Sequence, residues 1–220
     1  MTKVPSTKKD SKNKKNKGRS SWMQRHLNDP YVKASKTDGY RSRAAFKLIE
    51  IQNKHRIINP GAVVIDLGAA PGGWSQVVSQ WVGDNGLVIA LDLLEMSPLA
   101  GVTLMQGDFA SDTVKDQLIE ILKEKAKGKV DWVLSDMAPD MTGIRSVDQA
   151  RLYLLLEEAI TFALSHLKPT GGIIFKAFMG DDFEAFYAHL KKSFKTTRVI
   201  KPDASRTESR ELYLFAQTLR

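Results

Sequence analysis

Short apolar runs alternate along this chain with longer stretches whose apolar residues recur at helical spacing. Val63–Leu67, Gly86–Asp92, Gly101–Asp108, Val130–Asp136 and Gly172–Phe178 read as strands of a parallel sheet, the first two as buried ones. Helical spacing falls over 41–56, with Ser42 as the expected N-cap, and over 74–82, 113–125, 146–167 and 182–194. Two closing strands, 196–200 and 212–217, flank the polar loop 201–210, and no internal repeat is visible. Six or seven strands alternating with five or six helices predict a doubly wound α/β sheet.

Within that pattern one stretch stands out, Val63 through Leu67 running into Gly68-Ala69-Ala70-Pro71-Gly72-Gly73-Trp74. A buried strand that opens through glycines into a helix lets a ligand approach the backbone with no Cβ in the way. The spacing is not that of a dinucleotide fingerprint, because Ala70 stands where the second glycine belongs. Four strands close on an acid: Asp66, Asp92, Asp108 and Asp136. In an open parallel sheet that carboxyl edge lines the ligand crevice. The fifth strand carries Lys176 in an otherwise apolar run, either an edge-strand lysine reaching outward or a functional amine at the crevice.

Charge changes the picture at the front of the chain. Of the net +8, residues 1–20 hold eight Lys and Arg against one acid, and residues 21–57 eight against three, while the remainder is mildly acidic. Residues 1–20 are too polar to bury surface that offsets their ordering entropy, so a disordered basic tail is expected there. Residues 21–220 then form a single domain, with 21–57 a basic segment that meets a polyanion, most simply RNA. Trp22, Tyr31 and Tyr40 alternate with Arg25, Lys33 and Lys36, and read more readily as packing against the domain edge than as base-stacking platforms. Arg41, Arg43 and Lys47 gather at a helix start, where cations oppose the helix dipole.

Composition excludes several chemistries. With no cysteine there is no disulfide, thiolate metal site or cysteine nucleophile. His26, His55, His166 and His189 lack ligand spacing, so no metal is expected. There is no run of about 18 apolar residues and no leader-like start, which predicts a soluble, cytoplasmic protein without a membrane partner. No surplus apolar face is evident, and a monomer is expected.

A strand-end acid about 20 residues past a glycine turn holds ribose hydroxyls, and Asp92 occupies that place. Asp108 falls one strand over, where a base edge would lie, with Trp74 and Leu93 as apolar walls. The ligand is an adenosine with a tail at Gly68 and Gly72, either S-adenosylmethionine or a nicotinamide dinucleotide. Asp66 before the loop would repel a phosphate and suit a cationic amino-acid tail, and the basic front suggests a polymer substrate. Both favour S-adenosylmethionine and a methyltransferase.

The chain resembles the FtsJ-type ribosomal RNA 2'-O-ribose methyltransferases, the large-subunit methyltransferase E family. The likeness runs from Tyr40 to Ala216 through Tyr40-Arg41-Ser42-Arg43-Ala44-Ala45-Phe46-Lys47-Leu48, Asp66 to Gln76, Ser135-Asp136-Met137-Ala138-Pro139, Phe175-Lys176 and Ser209-Arg210-Glu211. The resemblance implies the Rossmann-like, mostly parallel seven-stranded sheet of class I S-adenosylmethionine-dependent methyltransferases. It implies that Lys47, Asp136, Lys176 and Glu211 match a catalytic tetrad with Lys176 as general base, and that Gly72, Trp74, Asp92, Asp108 and Asp136 contact the cofactor. The substrate it implies is a uridine of large-subunit ribosomal RNA in the assembled subunit, although relatives act on tRNA. Only the Lys-rich tail is untypical, and it bears on docking alone.

The residues agree with that reading. Pyrimidine C5 methylation through a covalent adduct needs a cysteine. Exocyclic amine methylation wants an aromatic clamp after Pro139, where Asp140 and Met141 stand instead. A hydroxyl acceptor remains, with Lys47 and Lys176 bracketing a ribose and Asp136 and Glu211 orienting them. A lysine base must be neutral, and bringing a lysine from ~10.4 to near 7 costs about 4 to 5 kcal/mol, for which cofactor binding is the expected source. Two other classes of function fit parts of the pattern: a non-catalytic RNA-binding or ribosome-assembly protein on the same fold, and a nicotinamide oxidoreductase.

Overall fold

A computed structural model describes residues 28–139, 142–180, 182–206 and 209–220. The expectations for residues 1–20, Trp22, Arg25, His26, Asp140 and Met141 lie outside the described residues. Seven strands form one sheet: β1 (Val63–Leu67), β2 (Leu87–Asp92), β3 (Val102–Gln106), β4 (Val130–Ser135), β5 (Leu167–Phe178), β6 (Phe194–Ile200) and β7 (Glu211–Leu219). Their order is β3-β2-β1-β4-β5-β7-β6. The first five are parallel, and β7 runs antiparallel between β5 and β6. This is the doubly wound α/β sheet that the alternation predicts, with strand order reversing between β1 and β4.

Helices cover both faces. α4 (Asp112–Ala126), α5 (Arg145–His166) and α6 (Phe183–Ser193) pack on one, around Leu118, Leu156, Phe175 and Leu190. α2 (Ala44–His55) and α3 (Gly73–Val82) pack on the other, around Leu48, Val78, Ile174 and Phe215. β1, β2 and β4 are almost wholly buried, which is why they read as unbroken apolar runs. No helix among the described residues is long and apolar enough to cross a membrane.

Three local differences from the sequence pattern have physical reasons. Residues Pro30–Thr37 form a helix, α1, whose N-cap Asp29 accepts the Tyr31 amide at 3.0 Å, with Pro30 in the first turn. Ser42 does not cap α2: its carbonyl takes the Ala45 amide, while its hydroxyl is buried without a hydrogen bond, pressed against Gly73. β5 begins at Leu167, opposite Val130; residues 168–171 then bulge out around Pro169, and pairing resumes at Gly172 opposite Trp132.

The front of the chain is fastened inward. Tyr31 and Tyr40 both pack on Phe46, with ring centroids 5.5 and 5.3 Å away, so these aromatics serve the domain edge. Arg43 pairs with Asp29 and donates to the Ala204 carbonyl, and Arg206 reaches the same carboxylate at 3.2 Å. Although burial opposes it, the Arg206 hydrogen bond and the Arg43 charge hold the Asp29 carboxyl below the usual carboxylate range. One acid therefore joins α1, the start of α2 and the loop before β7.

Candidate active site

Side chains alternate across a strand with period two, and that rule selects the residues that meet. Val64, Trp132, Leu134, Ile174, Tyr213 and Phe215 all face α2 and α3. By the same parity so do Asp66, Asp136, Lys176 and Glu211. Lys176 and Tyr213 are register partners across β5 and β7. Since β5 lies between β4 and β7, Lys176 is no edge residue; it is 8% exposed, its amine held inside the sheet edge.

α2 lays Lys47 over this group. Lys47 Nζ pairs with Glu211 Oε1 at 2.6 Å and donates to the Tyr213 hydroxyl at 3.2 Å. Tyr213 donates in turn to Asp136 Oδ1 at 2.9 Å. The same carboxylate oxygen pairs with Lys176 Nζ at 3.2 Å, and Lys176 also donates to the Asp136 backbone carbonyl. Two lysines are thus joined end to end through a phenol and a carboxylate. Burial, then the Asp136 and Glu211 charges, push the Tyr213 phenol well above its ordinary value, so it stays protonated and acts as a donor. The four residues expected as a tetrad come together, and Tyr213 joins them.

Beside this network, along the carboxyl edge of β1, β2 and β4, lies a cleft of about 340 Å³. Gly68, Asp92, Leu93, Asp108, Phe109 and Asp136 are among its walls. Asp92 accepts the Ala70 amide on Oδ2 and the Leu94 amide on Oδ1, both at 2.8 Å, and so fastens the glycine loop to the loop after β2. Each oxygen keeps a lone pair. Asp108 Oδ1 accepts the Ala110 amide at 2.9 Å. Gly68, at φ +72°, must be glycine, since a Cβ there would come within 2.8 Å of the Met137 backbone at the end of β4.

Two expected cofactor residues sit differently from their anticipated roles. The Trp74 indole is not a wall of the cleft: in the first turn of α3 it points back into the core, 2% exposed, donating Nε1 to the Ala44 carbonyl at 2.8 Å and tilting against Tyr213. Its backbone amide remains among the first-turn N–H groups that a helix leaves without intrahelical partners. Asp66 is fully buried and off the cleft surface; Ser75 Oγ donates to its Oδ2 at 2.6 Å, and Oδ1 finds no partner. Burial pushes its carboxyl up to about 7, against the Ser75 hydrogen bond and helped by the Asp136 and Asp92 charges. Gly72 is the N-cap of α3, at φ +103°.

A second groove, of about 610 Å³, opens from Glu211 on the side away from the cleft, and Arg145, Met179, Lys201 and Arg210 line it. Among the described residues no group of three His, Asp or Glu could hold a metal ion.

A seven-stranded sheet with β7 reversed, an acid-edged cleft at the switch point and a lysine-rich site beside it define a doubly wound α/β protein that keeps its ligand cleft and its paired lysines at one edge. Residues 40–219 match the FtsJ-like methyltransferase family, and the chain belongs to it. It is 52% identical over 200 residues to the ribosomal RNA large subunit methyltransferase E of Dechloromonas aromatica, covering 91% of this chain and 96% of that one. Against the protein of the same name from Azoarcus sp. the identity is 49% over 207 residues, covering 94% and 100%. A Plasmodium falciparum crystal structure described as a ribosomal RNA methyltransferase superposes with a TM-score of 0.71 at 30% identity, over 82% of this chain and 98% of that one. Family membership makes the chain a methyltransferase and removes the oxidoreductase reading.

Proposed function

We propose that this enzyme transfers the methyl group of S-adenosylmethionine to a ribose 2'-hydroxyl of large-subunit ribosomal RNA, a uridine in the assembled subunit, with Lys176 as general base. The observation that carries the reading is Asp136, which lines the cleft and in the same place holds Lys176 and Tyr213. Donor cleft and acceptor site share that one carboxylate.

The cleft fits the donor by the chemistry of its walls. Asp92 offers acceptors for ribose hydroxyls, Asp108 lies where a base edge falls, and Leu93 and Phe109 are apolar. Gly68, Gly72 and the Trp74 amide line the approach to the helix start, where a carboxylate is favoured. When bound, S-adenosylmethionine supplies a methyl group on a sulfonium, open to in-line attack. Lys176 takes the proton of the hydroxyl. Lys47, held by Glu211 and Tyr213, fixes the ribose from the α2 side, and alignment of this kind is worth several kcal/mol of barrier.

The RNA approaches along the groove beyond Glu211, where Arg145, Lys201 and Arg210 meet phosphates and Met179 offers an apolar surface. The basic segment 21–57 and the tail add long-range attraction. The protein acts as a cytoplasmic monomer on the ribosomal subunit. Incubating it with labelled S-adenosylmethionine and large subunits from cells lacking the enzyme, followed by mapping of ribose methylation, tests this. Label in a single ribose of large-subunit RNA, lost with Lys176→Ala, is expected; label only in tRNA, or none, refutes it.

A further inference from the structure

Arg41 stands just ahead of the helix that carries Lys47, yet its side chain reaches the other half of the site. Nη1 donates to the carbonyls of Pro71 at 3.3 Å and Ser97 at 2.8 Å, and Nη2 to that of Pro98 at 2.6 Å. One cation therefore ties the glycine loop after β1 to the loop after β2. These are the same two segments that Asp92 joins from the cleft side, through the Ala70 and Leu94 amides. The stem of Arg41 lies flat on the glycine loop: a Cβ on Gly72 would stand 3.1 Å from both its Cδ and its Nη1.

The backbone at Arg41 is fixed as well. Its amide donates to Gln76 Oε1 at 2.9 Å, and Gln76 Nε2 donates to the Gly39 carbonyl at 2.9 Å, which pins residues 39–41 to α3. The loop after β2 is otherwise held near its start, by Asp92 and by Gln106 Nε2 on the Leu93 carbonyl at 3.2 Å. Leu93 and Leu94 at the lip of the cleft are 65% and 67% exposed, so packing does little to hold them. Three of the five N–H groups of the guanidinium are spent on backbone carbonyls, which is the arrangement of a strap and not of a fork presented to phosphate.

We propose that Arg41 is a positioning residue for the methyl donor. Lying in the basic N-terminal segment, it holds from behind the two loops whose front surfaces form the cleft. The inference rests on the reading of that cleft as the donor site. Without the strap the loop after β2 must be ordered each time donor binds, and that cost falls on donor affinity. Lys47, Tyr213, Asp136 and Lys176 keep their own contacts, so the step after binding is spared.

Calorimetric titration with S-adenosylhomocysteine, and steady-state methylation of large subunits with S-adenosylmethionine, test this on the wild type, Arg41→Ala and Arg41→Lys. In Arg41→Ala the donor KM and the S-adenosylhomocysteine Kd rise about tenfold, as expected for lost charge-assisted hydrogen bonds. Its kcat at saturating donor stays within about twofold, and the KM for the subunit does not move. Arg41→Lys recovers part of the affinity, because an ammonium reaches fewer of the three carbonyls. If Arg41→Ala does not fold, the lysine variant gives the same readout at reduced size. An unchanged donor Kd with a raised KM for the subunit overturns the proposal and makes Arg41 a phosphate contact; failure of both variants to fold overturns it too, as a purely structural tie. Absence of S-adenosylhomocysteine binding to the wild type removes the cleft reading itself.

Discussion

Tyr213 donates its hydroxyl proton to Asp136 Oδ1 at 2.9 Å while the same oxygen atom of the phenol accepts from Lys47. The phenol thereby fixes the separation of the two lysines: it faces Lys176 in register across the strands, and it touches Lys47 from below. Its own charge state does not vary over the working range, since burial keeps it protonated.

Tyr213→Phe keeps the ring and removes the link. Lys47 then retains only Glu211, and Asp136 only Lys176. Methyl transfer is expected to fall about tenfold or more through kcat, with a stability change of about 1 kcal/mol. Single-turnover transfer and urea unfolding measure the two effects, and an unchanged kcat would show the phenol to be packing alone.

Asp136 and Lys176 should separate by their effect on the donor. Lys176→Ala lowers kcat by about 10² or more, as for loss of a general base, and leaves S-adenosylhomocysteine affinity intact. Asp136→Ala lowers kcat and also weakens S-adenosylhomocysteine, because that carboxylate lines the cleft. Equal donor affinities in the two variants would break the claim that Asp136 is shared.

Asp66 makes stability depend on pH in a definite direction. Its carboxyl titrates near 7 in the native protein against about 4 in an unfolded chain, so between those values the native state keeps a proton that the unfolded chain has released. Stability conferred by this group is present below that window and lost as pH rises through it, by up to roughly 4 kcal/mol. Asp66→Asn removes the titration. Urea unfolding at pH 5 and pH 8 should show the variant losing less stability than the wild type over that interval; parallel losses would rule out Asp66 as the source.

Asp29 anchors α1 to the rest of the domain. Asp29→Ala leaves Arg43 and Arg206 without their shared carboxylate and removes a helix cap, and is expected to cost about 2 to 3 kcal/mol. Denaturant unfolding reads this directly. A loss under about 0.5 kcal/mol, the range of an ordinary surface change, would mean that the ion pairs carry no load.

β1, β2 and β4 were legible because burial on both faces leaves mostly apolar residues, and the acids at their ends followed from the same runs, while β3, at the sheet edge, is only partly buried. The helix Pro30–Thr37 was not drawn from the pattern, although Asp29-Pro30 carries both halves of a helix-start signal; its apolar face is too narrow, with only Val32 buried among its apolar residues. Tyr213 was missed for a different reason. It stands in a strand of aromatic and apolar residues, where a tyrosine looks like filling, and only the strand parity shared with Lys176 and Glu211 sets it apart. Arg41 and Arg43 read as part of a basic segment that meets RNA, since a sequence does not show that Asp29 and backbone carbonyls wait for them, whereas Lys47 meets the Glu211 expected to orient it. Trp74 shows the opposite limit, a correct neighbourhood in which the helical phase turns the ring inward.

The place of β7 has a consequence for how the enzyme comes into being. It is the last described strand to leave the ribosome, yet it slots between two that precede it, carrying Glu211 and Tyr213 to partners at Lys47 and Asp136. A nascent chain can therefore build most of the sheet while its lysines still lack the groups that orient them, and it gains competence only when the final strand threads home.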